Sequence, residues 1–131
     1  MSDYETFKKT VYGEARGESQ KGQEYVAWVI KNRADKNKDY WGGSNIGDVC
    51  RKPGQFECWN GTSDIPTNEK EAYDKSDSYL RKVYEAPMSE DPTGGMDHYN
   101  NPDKEGYPPW TNNVDKGPKI GGHQFYKTKS G

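Results

Sequence analysis

One stretch of the chain, residues 20–35, carries Val26, Val29 and Ile30 on a single stripe at helical spacing, and it is the most hydrophobic helix the sequence predicts. Everything else has to be laid around it, because the aliphatic supply is small: one Leu, four Ile, six Val and three Phe in 131 residues. A share below about 20% accompanies disorder when the net charge is also high. Here 19 Lys and Arg stand against 21 Asp and Glu, a formal charge of -2. Ten Tyr and four Trp supply the missing apolar area, since each aromatic buries roughly 150–250 Å² while keeping a polar tip. The expectation is one small, wet, aromatic-rich domain over residues 1–131 and a monomer. The charge balance leaves no basic footprint, so neither nucleic acid nor an anionic membrane is expected as a partner. No run of about 18 apolar residues is present to span a bilayer.

The opening Met1-Ser2-Asp3-Tyr4-Glu5-Thr6-Phe7 is acidic and helix-like. It lacks the basic start, apolar middle and small-residue cleavage site of a secretion signal, so synthesis in the cytoplasm is expected. Cys50 and Cys58 can pair only if their Cα atoms come within about 7 Å, which leaves a disulfide open. With His98 and His123 the only histidines, neither a metal nor another cofactor is expected.

No repeat or low-complexity tract divides the chain. A first helix starts after Ser2 or Asp3 and runs to about Arg16, and the 20–35 helix starts after Ser19. Residues 37–67 are rich in Gly, Asn, Asp and Pro, with a short helix over 46–51 capped by Ser44. Tyr40, Trp41, Phe56 and Trp59 argue that this long stretch is ordered and walls a cleft. A third long helix over 68–85 carries Tyr73, Tyr79, Leu80, Val83 and Tyr84 as packing residues, and Pro87 stops it. After a turn at 91–95 come an extended piece at 98–100, a Pro-rich loop to Trp110 and a strand over 122–126. Helices on a small irregular β part make an α+β fold.

On a wheel of about 100° per residue with Phe7 at zero, Val11 falls near 40°, Tyr4 near 60°, Glu14 near -20° and Glu18 near 20°. Two glutamates therefore continue the apolar face of the first helix, where an unpaired charge is costly. Gly13 and Gly17 beside them leave a shallow gap that either a ligand or a packed segment could fill. A carboxyl near a helix C-terminus also meets unpaired carbonyls, which favours the protonated acid. Arg33, on the stripe of the second helix, is assigned to Glu18 as a structural ion pair, leaving Glu14 as the proton donor.

These residues carry a resemblance. Val11-Tyr12-Gly13-Glu14-Ala15-Arg16-Gly17-Glu18, then Gly22-Gln23, Val26-Ala27-Trp28-Val29-Ile30 and Asn32-Arg33, resembles the opening of the SleB-type cell wall hydrolases, the spore cortex-lytic family. Pro53-Gly54-Gln55-Phe56-Glu57-Cys58-Trp59, Asp91-Pro92-Thr93-Gly94-Gly95, His98-Tyr99-Asn100-Asn101-Pro102, Trp110 and Ile120-Gly121-Gly122-His123-Gln124-Phe125-Tyr126 follow in the family's order, so the resemblance spans 4–126. It implies a lysozyme-like α+β fold, mainly helical, related to lytic transglycosylases. It further implies action on peptidoglycan glycan strands between N-acetylmuramic acid and N-acetylglucosamine, with Glu14 as catalytic acid and with Tyr99 and Asn101 lining the cleft.

Glycosidases ordinarily use two carboxyl groups, about 5–5.5 Å apart when retaining and about 6.5–9.5 Å when inverting. A lytic transglycosylase needs one, which protonates the glycosidic oxygen and then serves as base for the 6-hydroxyl that closes a 1,6-anhydro ring. Glu18, Glu57 and Asp91 are the candidates for a second carboxylate, and Asp91 is expected to cap its own turn. Glu18 is also counted at the substrate; Gln55 and Phe56 could hold an N-acetyl group and a sugar face, and Trp59 and Trp110 could serve as saccharide platforms or plug the core. His123 is read as structural, and His98 has no evident partner. The absence of a leader and of wall-binding repeats suits a phage or prophage lysin, released by lysis or carried on a virion, that acts on the cell wall. The rival readings are a hydrolytic muramidase, a zinc amidase, a glycan-binding module without catalysis and a tail-assembly role.

Overall fold

The computed structural model describes residues 1–129. Helix α1 (Asp3–Ala15) begins where the Ser2 side chain accepts the Glu5 N–H at 3.1 Å, so Ser2 is the N-cap of the two candidates, Ser2 and Asp3. Helix α2 (Gln20–Lys36) is capped in the same way by Ser19 and ends at Asn37, whose φ of 51° lies in the left-handed region. The two pack together, and Val26, Val29 and Ile30 meet Phe7 and Val11 in a fully buried core. The short α3 (Ile46–Arg51) lies against both. Its cap is Asn45, not Ser44, because Asn45 immediately precedes the helix and its Oδ1 reaches the Asp48 N–H at 2.9 Å.

The predicted third helix is two: α4 (Lys70–Lys75) and α5 (Asp77–Glu85). Ser76 Oγ donates to the Tyr73 carbonyl at 2.7 Å and Ser78 Oγ to the Lys75 carbonyl at 3.0 Å, local bonds that compete with the helical ladder at the break. Leu80 and Val83 of α5 complete the core, while Tyr73 packs edge-on against Tyr12 and Tyr84 packs at a steep angle against Tyr4 and Phe7. They are packing residues, as expected.

The β part is a three-stranded antiparallel sheet in the order β1-β3-β2, formed by β1 (His98–Asn100), β2 (Val114–Ile120) and β3 (His123–Thr128). Strand β2 is absent from the sequence-based expectation. Gly117 and Pro118 lie inside it and the pairing shifts between Lys116 and Lys119, so its pattern reads as a loop. A four-residue helix, α6 (Pro102–Glu105), follows β1 under an Asn101 cap. Cys50 and Cys58 are free thiols. Burial pushes Cys50 up to about 12, and burial followed by the nearby Glu14 pushes Cys58 up as well.

The sheet is tied to α2 through Asp97, which is 0% exposed. Its carboxylate accepts the Thr128 N–H at 2.9 Å, His98 Nδ1 at 2.8 Å and Lys36 Nζ at 2.6 Å. Burial alone would raise Asp97, but these three bonds together hold it well below the usual carboxylate range. His98 thus has its partner, and its ring also packs against Trp41 and Trp110.

Candidate active site

Between the end of α1, the 56–58 segment, β1 and α6 lies a cleft of about 640 Å³. Glu14 reaches it from the last turn of α1, one residue after Gly13. A Cβ on Gly13 would stand 2.6 Å from Cys58 Cβ, so the gap beside the glutamates is filled by the short turn Glu57–Trp59. That close approach brings the Cys58 N–H to Glu14 Oε2 at 3.1 Å. From the opposite side Tyr99, on β1, donates its hydroxyl to Glu14 Oε1. Burial first, and the Glu14 carboxylate second, push the Tyr99 phenol well above its ordinary range, so it remains a donor. Gly17 has open space around it.

Arg33 is not paired with Glu18. Its Nε donates to the Asp97 carbonyl at 2.7 Å and one terminal nitrogen to Gln55 Oε1. The guanidinium lies 5.4 Å and 5.2 Å from the Trp41 and Phe56 ring centres. At 8% exposure it is a nearly buried cation that still lines the cleft. Burial lowers its basicity, and the neighbouring Tyr99, Asp97 and Glu14 oppose that.

Glu18 lies beyond the end of α1, so the helical wheel does not place it. Its Oε1 accepts the Gly122 N–H at 3.0 Å, fastening the turn between β2 and β3. A Cβ on Gly121, which has a φ of 58°, would collide with the same carboxylate. Asn101 lines the cleft and caps α6, with its own N–H bonded to Glu105 Oε1 at 2.9 Å.

Residues 17–126 match the family described as Cell Wall Hydrolase. The chain belongs to that family. Its members degrade the cell wall, and this chain is a peptidoglycan-degrading enzyme. Two solved structures resemble it over 95% of its length at 29% identity: the catalytic domain of the germination-specific lytic transglycosylase SleB from Bacillus anthracis, with 93% of that chain covered and a TM-score of 0.70, and the catalytic domain of the Bacillus cereus SleB protein, with 89% covered and a TM-score of 0.65. No curated protein sequence matches the chain. The sheet and helices described above are therefore the lysozyme-like fold of a cell wall hydrolase.

Within that fold the cleft gathers Glu14, Gln55, Phe56, Tyr99 and Asn101. Phe56 is 2% exposed and faces Arg33, so it forms the floor. Gln55 is held at both ends, by Arg33 and by its own bond to the Tyr40 carbonyl at 2.8 Å. Trp110 lies outside the cleft, against His98 and Tyr126. Trp59 plugs the core, its indole N–H on Thr10 Oγ1 at 2.9 Å. Asp91 accepts the Thr93 and Gly95 N–H groups, both at 2.8 Å, and so caps its turn.

Sequence reasoning missed Lys104 and Glu105, which add charge to the wall, and the Cys58 N–H on Glu14. The Gly13 signal could have found the last of these. Among the described residues no group of three or more His, Cys, Asp or Glu side chains is placed to hold a metal ion, and no helix is long and apolar enough to cross a membrane.

Proposed function

We propose that this enzyme cleaves the bond between N-acetylmuramic acid and N-acetylglucosamine as a lytic transglycosylase, with Glu14 acting first as acid and then as base. The observation that carries the reading is the setting of Glu14: its carboxyl lines the cleft with one oxygen on the Tyr99 hydroxyl and the other on the Cys58 N–H. The protonated carboxyl gives its proton to the glycosidic oxygen, the bond from that oxygen to C1 breaks, and positive charge develops on the muramic ring. The carboxylate left behind is met by two donors already in place, so little reorganisation is needed as its charge appears. It then takes the proton of the 6-hydroxyl while that oxygen bonds to C1, closing the anhydro ring. The buried guanidinium of Arg33 supplies a further fixed positive charge to the same wall. The transglycosylase named among the structural relatives supports this outcome.

A hydrolytic muramidase is the second reading, favoured by Glu57, an exposed carboxylate on the same cleft that could direct a water. Both readings require Glu14. With purified peptidoglycan, Glu14→Gln is expected to cut the release of soluble muropeptides by about 10²–10⁴-fold, the range of general acid–base catalysis, with an unchanged thermal midpoint. Release at the wild-type rate by a folded Glu14→Gln protein would remove Glu14 from the chemistry.

A further inference from the structure

His123 contains a buried side-chain polar atom, Nδ1, with no hydrogen-bond partner among the described residues. The residue opens β3, directly after the turn that Glu18 fastens, and is 7% exposed. Its ring centre lies 4.9 Å from that of Tyr99 and 6.1 Å from that of Phe125, yet the residue lines the cleft. With Nδ1 sealed off, Nε2 is the nitrogen that meets the cleft.

This geometry selects a protonation state. A proton on Nδ1, in the imidazolium or in the Nδ1–H tautomer, would be a buried N–H with no acceptor. The least costly form is neutral, with Nδ1 bare and Nε2–H facing the cleft. Burial lowers the basicity of His123, while Glu18, Glu14 and Glu105 oppose the shift and Lys104 assists it.

We infer that His123 is a substrate-binding residue whose neutral Nε2–H donates to a hydroxyl or acetamido oxygen of the saccharide lying beside Glu14. The inference rests on the glycosidase reading. Sugars offer many acceptors at such a wall, and an imidazole clamped against Tyr99 loses little freedom on binding one. The same contact lets His123 support the ring that holds Glu14.

The test uses the full chain and two variants. His123→Phe keeps a ring against Tyr99 without the donor, and His123→Gln keeps a neutral N–H. On purified peptidoglycan His123→Phe is expected to lose about tenfold in kcat/KM, mainly through KM, at an unchanged thermal midpoint, while His123→Gln stays within a few-fold of wild type. Nitrogen-15 NMR of the wild-type imidazole, titrated with an N-acetylglucosamine tetramer, should show the Nε2–H tautomer and a shift at Nε2 on binding. Wild-type kcat/KM in His123→Phe, or an imidazole unmoved at saturating tetramer, overturns the inference. If His123→Phe does not fold, the glutamine variant and the titration decide. A wild type without turnover that still binds the tetramer through His123 would overturn the glycosidase reading alone.

Discussion

Glu14 accepts from two donors that come from different parts of the chain, the Cys58 backbone and the Tyr99 side chain, and the proposed mechanism depends on both. Removing the Tyr99 hydroxyl while keeping the ring should therefore weaken catalysis more than binding. Tyr99→Phe is expected to lower kcat by about 10–100-fold with a near-constant KM, because a hydrogen bond to a charged group contributes about 1.5–3 kcal/mol; steady-state kinetics on peptidoglycan check it, and a fall confined to KM would contradict it. The position of Glu14 was legible in the sequence, since the wheel put it on the continuing face of α1 and the resemblance chose it over Glu18. The partner of Arg33 was not legible. The wheel carried Glu18 onto the same face, but the helix ends at Ala15, and past that residue the 100° step no longer says where a side chain points. Arg33 is satisfied instead by a backbone carbonyl and an amide, acceptors that carry no charge signature in a sequence.

Elements meet at the site through two close approaches. The first is the turn Glu57–Trp59 against α1, which only a glycine at position 13 permits. Gly13→Ala should push that turn outward, lowering stability by about 1–3 kcal/mol, the usual range for overpacking. It should also reduce turnover, because the Cys58 N–H moves with the turn. Denaturant midpoints and initial rates together check this, and unchanged rates would show that the N–H is dispensable. The second approach is the β2–β3 turn on Glu18. Glu18→Ala is expected to cost about 1–3 kcal/mol by leaving the Gly122 N–H unpaired. Helices α1 and α2 were legible from caps and periodicity, and α3 was placed correctly although its cap is Asn45 and not the expected Ser44. The break at Ser76 and strand β2 were not, because side-chain bonds to local carbonyls override helix pattern in one case, and a Gly-Pro pair disguises a strand in the other.

For the molecule as a whole, Asp97 is the joint between the helical core and the sheet that supplies Tyr99 and His123. Its carboxyl is held below the ordinary value of about 3.9 in the folded state. The stability it contributes is thus complete above that value and lost as the pH falls below it, when the folded carboxyl takes up a proton. Asp97→Asn should destabilise the enzyme by roughly 3 kcal/mol at neutral pH, as expected on breaking a buried pair. The gap between variant and wild type should narrow toward pH 2; urea midpoints across that range check it, and a gap independent of pH would contradict it. The α+β class was legible in the sequence, and the ordered blocks named Glu14, Gln55, Phe56, Tyr99 and Asn101 of the cleft lining but also Glu18 and Trp110, which do not line it. This joint was not legible, since its bonds join residues 31 or more positions apart that no local pattern links, apart from the adjacent His98.

The central claim is ring closure by a single carboxyl, and water tests it most directly. Peptidoglycan digested in water enriched in oxygen-18 should give muropeptides with 1,6-anhydro ends, lighter by one water and free of the label. Reducing ends that carry one oxygen-18 would contradict the account and assign the enzyme to hydrolysis.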